Sequence, residues 1–400
     1  MAAIFNTKAR KWLQGRKDIF ERLESTIGKN DRTIWMHCAS LGEFEQGRPL
    51  LEKLRADYPN HRLLLTFFSP SGYEVRKDFP GVDWVFYLPL DGSSNARRFL
   101  NIVKPRLVVF VKYEYWYFYL RQVKEMGIPL LLISALFQAR MPFFKWYGGL
   151  HRAMLGCFTH LFVQDEPSRR LLATIGFDKS CTVSGDTRFD RVIEIAGNAG
   201  PVPGIEDFAA DRKTIVAGST WPEDEQLLQQ VMYELKSAGL KLVIAPHEIH
   251  EQHIQQLCLL FPSNRLYSEL VPGQPLAAEQ VLIIDNIGML SRLYRHAWIT
   301  YIGGGFGKGI HNTLEAAVYG KPVLFGPAYG KFREAVELVR NGGALPVSHA
   351  EEARAIVSKL LGDENAYQAS AAVAGEYVLA SKGATKKVMD YIQEKRLLTS

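Results

Sequence analysis

Short apolar runs alternate with longer segments of helical periodicity along almost the whole chain. Runs of this length predict buried strands, and their alternation with helices predicts parallel sheets covered by helices on both faces. The first half carries predicted strands at 33–38, 62–67, 85–88, 107–111, 130–134 and 161–164. The second half carries them at 214–218, 241–245, 281–284, 298–302 and 322–325, with helical patterns such as 43–58, 222–238 and 312–319 between strands. The predicted fold class is α/β.

The length of 400 residues exceeds what one ordinary core accommodates and suits two domains. A Gly/Pro-rich stretch at 197–204 has the composition of an interdomain linker. We therefore predict two Rossmann-like domains whose parallel sheets face a central cleft. The predicted parts are a basic amphipathic helix (1–30), an N-terminal domain (31–196), a linker (197–212) and a C-terminal domain (213–400) whose last helix is able to cross back to the N-terminal domain.

Composition excludes several classes of protein. With 47% hydrophobic and 22% charged residues, the chain does not resemble a disordered, collagenous or disulfide-scaffold protein. Its four cysteines lie far apart without a Cys/His cluster, which argues against a zinc site and favours a reducing compartment. No apolar run reaches the roughly 20 residues that span a bilayer, and no secretory signal follows Met1. These features predict a protein on the cytosolic side.

The net charge of +6 is concentrated at the N-terminus, where residues 1–30 carry seven basic and three acidic side chains. Apolar residues recur in this segment at helical spacing, so it suits either an anionic membrane surface or packing on its own domain. A second patch of large apolar and basic residues suits a lipid-bearing acceptor or a buried aromatic cluster. Its members are Phe137, Met141, Phe143, Phe144, Trp146 and Tyr147, with Arg140, Lys145 and Arg152.

In the first half, two carboxylates follow predicted strands. Ser40 and Glu43 have the spacing of a helix capping box, yet Glu43 also stands where a general base can reach a substrate hydroxyl. Glu114, in a run of aromatic residues after the fourth strand, is difficult to explain as a core residue.

In the second half, turns after the strands suit an anion. The turn at Gly218 and Ser219 leads into a helix, and a glycine-rich loop runs from Gly303 towards Asn312. That loop is not a P-loop because Gly309 follows Lys308, and Lys308 also breaks a G-x-G-x-x-G pattern. Asn312 is a plausible helix cap, and Glu315 suits either the same cap or a ribose diol. A nucleotide mono- or diphosphate-sugar fits such a site better than a dinucleotide.

Taken together, these blocks resemble the 3-deoxy-D-manno-oct-2-ulosonic acid (Kdo) transferases of lipid A synthesis. The resemblance rests on the order and spacing of 39–43 (ASLGE), 114–116 (EYW), 185–188 (GDTR), 218–220 (GST), 303–315 (GGGFGKGIHNTLE) and 320–327 (GKPVLFGP). The chain departs from the usual family pattern at Lys112, Arg188, His247 and Met289.

The resemblance implies a GT-B fold and an inverting transfer of Kdo from CMP-Kdo to a lipid A precursor (lipid IVA), without a metal or other cofactor. It implies a peripheral or N-terminally anchored protein at the cytoplasmic face of the inner membrane of a Gram-negative cell, and no nucleic-acid partner. Glu43 matches the family's general base, and Glu114 and Arg188 match positions that support the transition state. The expected CMP-binding residues are Gly218, Ser219, Pro246, His247, Ile287, Gly288, Met289, Asn312, Thr313, Leu314 and Glu315.

Two other interpretations remain open at this point. One is another GT-B enzyme that uses a UDP-sugar, either a transferase or a 2-epimerase. The other is a non-catalytic module that binds a nucleotide or lipid A. A preference for CMP over UDP, and release of CMP from the donor, distinguish the three.

Overall fold

The computed structural model describes residues 7–209, 212–270 and 279–398. The chain divides into two compact units, Met1–Arg191 with Ser381–Ser400, and Val192–Ala380. We call them the N-terminal and the C-terminal unit.

The N-terminal unit contains a parallel sheet of seven strands in the order β3-β2-β1-β4-β5-β6-β7. Its strands are β1 Thr33–Cys38, β2 Arg62–Phe67, β3 Trp84–Tyr87, β4 Pro105–Val111, β5 Leu130–Ala135, β6 His160–Val163 and β7 Cys181–Val183. Its helices are α1 Thr7–Gln14, α2 Ile19–Thr26, α3 Leu41–Asp57, α4 Pro70–Arg76, α5 Ser93–Val103, α6 Tyr117–Glu125, α7 Gly149–Leu155, α8 Glu166–Ala173 and α9 Thr187–Gly197, the last of which continues beyond the unit's boundary. A 3₁₀ turn occupies Pro142–Phe144.

The C-terminal unit also has a parallel sheet of seven strands, in the order β10-β11-β9-β8-β12-β13-β14. Its strands are β8 Thr214–Thr220, β9 Lys241–Pro246, β10 Asn264–Leu266, β11 Val281–Ile283, β12 Ile299–Ile302, β13 Val323–Phe325 and β14 Ala344–Pro346. Its helices are α10 Ile205–Ala209, α11 Pro222–Glu234, α12 Glu251–Leu260, α13 Leu290–Leu293, α14 Leu314–Ala317, α15 Arg333–Asn341, α16 Ala350–Gly362 and α17 Glu364–Ala380. Short 3₁₀ turns occupy Lys236–Ala238, Tyr267–Glu269 and Tyr294–His296.

Both faces of the N-terminal sheet are buried. In β1 every residue is buried, and its side chains alternate between two apolar clusters: Trp35 belongs to one, and Ile34 and Met36 belong to the other. A parallel strand covered by helices on both sides has this pattern, because neither face meets water. Burial on both faces explains why the strands read as continuous apolar runs in the sequence.

The strand prediction is confirmed for all eleven runs, with shifts of one or two residues at some ends. Three strands were missed: β7, β10 and β14, each three residues long and each at the edge of its sheet. Edge strands this short carry too few apolar residues to stand out from a loop.

Residues 7–26 form two helices where the sequence analysis expected one. The chain breaks between them at 15–18, where a Cβ on Gly15 would lie 2.1 Å from the Tyr87 ring and Asp18 is left-handed. α2 buries Ile19 and Leu23 in the core, whereas α1 contributes no buried residue. Packing on the domain therefore accounts for the second helix and leaves the first at the surface. The first six residues of the predicted segment lie outside the described residues.

The last helix, α18 Ala384–Glu394, belongs to the N-terminal unit. Both carboxylate oxygens of Asp190 accept hydrogen bonds from its first turn, from Gly383 N and Thr385 N at 2.6 Å each. Val388 and Ile392 then join the same apolar cluster as Ile34 and Met36. One acidic side chain thus anchors the start of a helix that completes this core.

Among the described residues, none of the helices combines the length and the apolar character needed to cross a membrane.

A close backbone approach at the carboxyl edge of the C-terminal sheet yields a stability prediction. A Cβ on Gly303 would lie 2.2 Å from the carbonyl oxygen of Ser219, and neither backbone can yield cheaply. We expect Gly303→Ala to lower the free energy of unfolding of the C-terminal unit by about 2 kcal/mol. Urea titration followed by hydrogen exchange of peptides from this unit measures the change. Gly307→Ala is the matched control, because its nearest atom would be 3.9 Å away. Equal midpoints for the two variants would contradict the prediction.

Candidate active site

Two polar segments leave neighbouring strands at the carboxyl edge of the N-terminal sheet. β1 ends at Cys38 and β4 ends at Val111, and the two strands are paired in parallel. Glu43 lies in the first turn of the helix that follows β1, and Glu114 lies in the loop that follows β4. In sheets of this kind ligands bind at this edge, because both faces are covered by helices.

Glu43 lies in the first turn of α3, and its carboxylate accepts a hydrogen bond from Ser40 N at 3.1 Å. The predicted capping role is therefore present. Burial, and next the charge of Glu114, raise the pKa of Glu43 to about 7, while backbone hydrogen bonds and the charge of Lys112 act in the opposite direction. A carboxyl group with this pKa exchanges protons near neutral pH, which is the property that a general base needs.

Glu114 is 5% exposed and lies among aromatic rings. Its Oε2 accepts hydrogen bonds from His37 Nε2 at 3.0 Å and from Trp116 Nε1. Burying a carboxylate is costly unless donors satisfy it, and these two N–H groups do so. The structure thus accounts for an acidic residue that the sequence did not explain.

His37 was missed by the sequence analysis. It is fully buried in β1, and it pairs in register with Thr66 of β2. Its Nδ1 lies 2.8 Å from Thr66 Oγ1, so both ring nitrogens have partners. The available signal was a lone histidine near the end of an otherwise apolar strand.

Arg188 lies at the start of α9 and is held by Asp186. The guanidinium donates to Asp186 Oδ2 from Nε at 3.0 Å and from Nη2 at 2.8 Å. Gln46, one turn after Glu43 on α3, donates to the same oxygen at 3.0 Å. Through Gln46 and Asp186, Arg188 is tied to the helix that carries Glu43. Gln46 was not identified from the sequence, and Asp186 was quoted only as part of the 185–188 block, without a role.

The aromatic patch after β5 is divided between core and surface. Phe137 and Phe143 are buried in the main apolar cluster, which fits the structural interpretation. Trp146 is 92% exposed, and Tyr147 and Leu150 are more than half exposed. Arg152 donates to the carbonyl oxygens of Phe143 and Lys145, which fixes the loop that presents these side chains.

In the C-terminal unit, Gly218 and Ser219 lie at the end of β8. A Cβ on Gly218 would lie 2.1 Å from the Tyr294 hydroxyl, and Ser219 has a positive φ of 54°. This turn packs against the glycine-rich loop, since Gly303 N donates to Gly218 O at 2.9 Å. Two segments predicted to bind the nucleotide are therefore in contact.

A buried carboxylate holds the glycine-rich loop. Asp224, which is 1% exposed, accepts hydrogen bonds from Gly304 N, Tyr301 Oη and Trp221 N at 2.8 to 2.9 Å. The sequence analysis did not identify this residue. Its signal was the capping spacing after Trp221, which Asp224 satisfies as the third helical residue.

His247 follows Pro246 at the end of β9 and is exposed. Its ring stacks between Trp221, with centroids 4.7 Å apart, and His311, with centroids 4.5 Å apart. Burial, and next the charge of His247, lower the pKa of His311. This three-ring stack was not predicted. His247 itself was predicted to bind CMP, and Trp221 and His311 each lie next to a segment of the family resemblance.

The segment 312–315 leads into α14. Thr313, and not Asn312 as predicted, is the N-cap residue of this helix, but Asn312 Oδ1 accepts from Leu314 N at 3.2 Å and Asn312 Nδ2 donates to Glu315 Oε1 at 2.9 Å. Thr313 is 1% exposed, and its hydroxyl has no hydrogen-bond partner among the described residues. An unsatisfied buried hydroxyl at the N-cap is a feature that a bound ligand can satisfy.

The remaining predicted segment lies before α13. Ile287 is 85% exposed, Gly288 has a φ of 97°, and Met289 is buried. Within the described ranges, no three His, Cys, Asp or Glu side chains come together as a possible metal-ligand set.

Comparison with known proteins shows what the chain is similar to. Residues 17–191 match the model of a family described as 3-deoxy-D-manno-octulosonic-acid transferase (kdotransferase). A relative of that name from Haemophilus influenzae is 27% identical over 90% of this chain and 86% of its own. Another from Rickettsia felis is 25% identical over 84% of this chain and 73% of its own.

Solved structures show the fold. UDP-GlcNAc 2-epimerase from Neisseria meningitidis gives a TM-score of 0.63 at 14% identity, covering 90% of this chain and 100% of its own. A glycosyltransferase from Rickettsia africae gives a TM-score of 0.57 at 14% identity, covering 91% of this chain and 98% of its own. The α/β fold of GT-B type predicted from the sequence is confirmed. The predicted resemblance to the Kdo transferases is confirmed as well, and these relatives indicate that the chain is a glycosyltransferase.

Proposed function

We propose that the protein transfers Kdo from CMP-Kdo to a lipid A precursor with inversion at the anomeric carbon. The observation that carries the proposal is the half-buried carboxyl group of Glu43. Burial, and next the charge of Glu114, raise its pKa to about 7. The likeness to named Kdo transferases over most of the chain supports the donor sugar.

The proposed step is a single displacement. An acceptor hydroxyl oxygen attacks the anomeric carbon of Kdo, Glu43 accepts the hydroxyl proton, and the bond to the phosphate breaks so that CMP leaves with the electron pair. General-base catalysis of this kind requires Glu43 to be ionised before attack. The raised pKa makes it a stronger base than an ordinary glutamate while leaving a large ionised fraction at neutral pH.

Arg188 and Glu114 support the reaction in different ways. A fixed guanidinium suits the negative charge of the donor carboxylate or the leaving phosphate. Asp186 holds the Arg188 side chain in place, because its carboxylate accepts hydrogen bonds from Arg188 Nε and Nη2. This ion pair also offsets part of the positive charge of Arg188. Glu114 acts on Glu43 through its charge.

The proposed CMP site is the carboxyl edge of the C-terminal sheet. Backbone N–H groups of the turn at 218–219 and of the glycine-rich loop suit the phosphate. The exposed ring of His247 and the carboxylate of Glu315 suit the base and the ribose diol, and the buried Thr313 hydroxyl supplies a further hydrogen bond. Gly288 and Met289 are further residues that we propose to contact CMP.

We further propose that the protein works at the surface of the inner membrane. Trp146, Tyr147 and Leu150 are exposed on one short loop and helix start, beside the exposed Arg140. Amphipathic aromatic side chains favour the membrane interface, and cations favour its anionic lipids. The exposed Arg10, Lys11 and Leu13 of α1 have the same character.

Mass spectrometry of the acceptor tests the function directly. Tetraacylated lipid A precursor is incubated with the protein and with CMP-Kdo generated in place, and a parallel reaction receives UDP-sugars. Acceptor mass rising by one or more Kdo units, with release of CMP, supports the proposal. A reaction with a UDP-sugar instead would assign the chain to the other GT-B activities.

Replacing the proposed base gives a sharp prediction. Glu43→Gln keeps the shape of the side chain but cannot accept the proton, so we expect turnover to fall at least about 100-fold. The affinity for CMP, measured by titration calorimetry, stays within about twofold, because the base acts on the acceptor. Glu45→Gln, on the same turn and paired with Arg76, is the matched control and retains activity. Loss of CMP binding in Glu43→Gln would contradict the assignment.

The pH dependence of turnover reports the same group. Because Glu43 must be deprotonated to act and its pKa is raised to about 7, kcat falls about tenfold per unit as pH drops below 7. Rates with saturating donor and acceptor between pH 5 and 9 measure this limb. A midpoint near the ordinary glutamate value of about 4.3 would show that another group is titrating.

Membrane docking is tested by removing the exposed side chains. We expect the triple variant Trp146→Ser, Tyr147→Ser, Leu150→Ser to bind vesicles of anionic phospholipid at least about tenfold more weakly in a flotation assay. The matched control replaces Tyr233 and Leu259, which are 75% and 82% exposed in the C-terminal unit. Equal binding by both variants would exclude this loop as the contact.

A further inference from the structure

The imidazole of His37 is a titratable group that lies beside the proposed catalytic carboxylates, out of contact with water. It is fully buried and packs against the rings of Phe110 and Trp116, with centroids 5.3 and 6.2 Å away. A polar ring in such a place costs stability unless both of its nitrogens are hydrogen-bonded. Both have partners, and these partners determine which way the ring's proton points.

The orientation follows from a chain of hydrogen bonds. Trp35 Nε1 donates to Thr66 Oγ1 at 2.8 Å, which leaves the Thr66 hydroxyl proton free to face His37 Nδ1, also at 2.8 Å. Nδ1 also lies 3.1 Å from the Thr66 carbonyl oxygen, and Trp116 Nε1 lies 3.1 Å from His37 Nε2, but the 3.0 Å contact between Nε2 and Glu114 Oε2 calls for a proton on Nε2. The opposite tautomer would place a lone pair against a carboxylate oxygen. If the ring is protonated, Nε2 still carries a proton towards Glu114.

Glu114 depends on this donor. Its Oε2 accepts from His37 Nε2 and from Trp116 Nε1, two atoms that lie 3.1 Å from each other, and the residue has little contact with water. A buried carboxylate keeps its charge and its place only where donors compensate for lost hydration. Removing one of two donors frees the side chain to rotate, so that its charge is no longer held in place beside Glu43.

The charge of Glu114 acts in turn on Glu43. It is the largest effect after burial that raises the pKa of Glu43, and the charge of Lys112 opposes it. The other titratable groups that face Glu43 are Cys38 and Tyr113, whose pKa values are raised chiefly by burial. Both are uncharged at neutral pH, so Glu114 and Lys112 are the charges that matter.

We infer that His37 is a positioning residue for the transfer reaction: anchored by Thr66, it holds the Glu114 carboxylate where its negative charge acts on Glu43. The inference rests on the proposed function, since it gives the pair a catalytic purpose only if Glu43 is the base. His37 itself touches neither donor nor acceptor in this scheme.

Two amide replacements distinguish the hydrogen bond that His37 Nε2 makes with Glu114 from the one that Nδ1 makes with Thr66. In His37→Gln the amide nitrogen takes the place of Nε2 and retains the hydrogen bond to Glu114. In His37→Asn the shorter amide takes the place of Nδ1, reaches Thr66 and leaves Glu114 with one donor fewer. Both variants keep a polar group of similar size in the buried site. His160→Phe replaces another buried histidine of the same sheet, bonded to Thr182, and serves as the control for a purely structural loss.

Two quantities are measured: the pH midpoint at which kcat falls on the acidic side, and the pH midpoint at which Glu43 itself titrates. The second uses carbon-13 NMR of carboxyl-labelled glutamate in the full-length protein, with Glu43→Gln identifying the resonance. We expect His37→Asn to move both midpoints to lower pH by on the order of half a unit or more, because the charge of Glu114 is no longer held beside Glu43. His37→Gln and His160→Phe leave both midpoints at the wild-type value.

Each outcome has a definite meaning. A Glu43 titration that is unchanged, or moved upward, in His37→Asn overturns the inference, as does an equal shift in His37→Gln. If the Glu43 titration shifts as expected but the pH dependence of kcat does not, His37 still positions Glu114, and Glu43 is refuted as the base. Circular dichroism of every variant accompanies the titrations, and His37→Gln keeps the comparison valid if His37→Asn folds less stably.

Discussion

Helices cover both faces of each parallel sheet, and this burial dictates where chemistry is able to occur. Strands such as β1 offer water neither face, so their polar groups collect at the carboxyl ends, where loops enter helices. In the N-terminal unit, Glu114 lies in such a loop, and Glu43 and Arg188 lie in the first turns of the helices that such loops enter. The turn at 218–219, His247 and the glycine-rich loop lie in equivalent places in the C-terminal unit.

Buried carboxylates hold these loops in both units. Asp224 fastens the glycine-rich loop through Gly304 N, and Asp186 fastens Arg188. Asp190, which is half-buried, does the same for the start of α18. In each case charged oxygens satisfy backbone or guanidinium donors in a place with little water, where a hydrogen bond to a charged group is strongest. The site loops therefore need no regular secondary structure to keep their geometry.

The sequence sufficed for the fold because long apolar runs are a local signal. It failed at β7, β10 and β14, where three-residue edge strands leave almost none. At the candidate site the sequence identified Glu43, Glu114 and Asn312, because each lies in the segment that directly follows a strand that could itself be predicted. It missed His37, Gln46 and Asp224, because their roles depend on which strands and helices become neighbours. His37 faces Thr66 only after β1 and β2 pair in register, and no spacing along the chain encodes that pairing.

The return of the chain after Ser381 has a consequence for how the protein is made. The N-terminal unit takes its last helix from beyond the whole of the C-terminal unit, and that helix supplies Val388 and Ile392 to the core around Ile34. During synthesis on the ribosome, this core stays incomplete until the segment after Ser381 has left the exit tunnel. The residues of the C-terminal unit are contiguous, and all of them are translated before that segment. The unit whose translation begins first thus waits for a helix that is translated after the whole of the other unit.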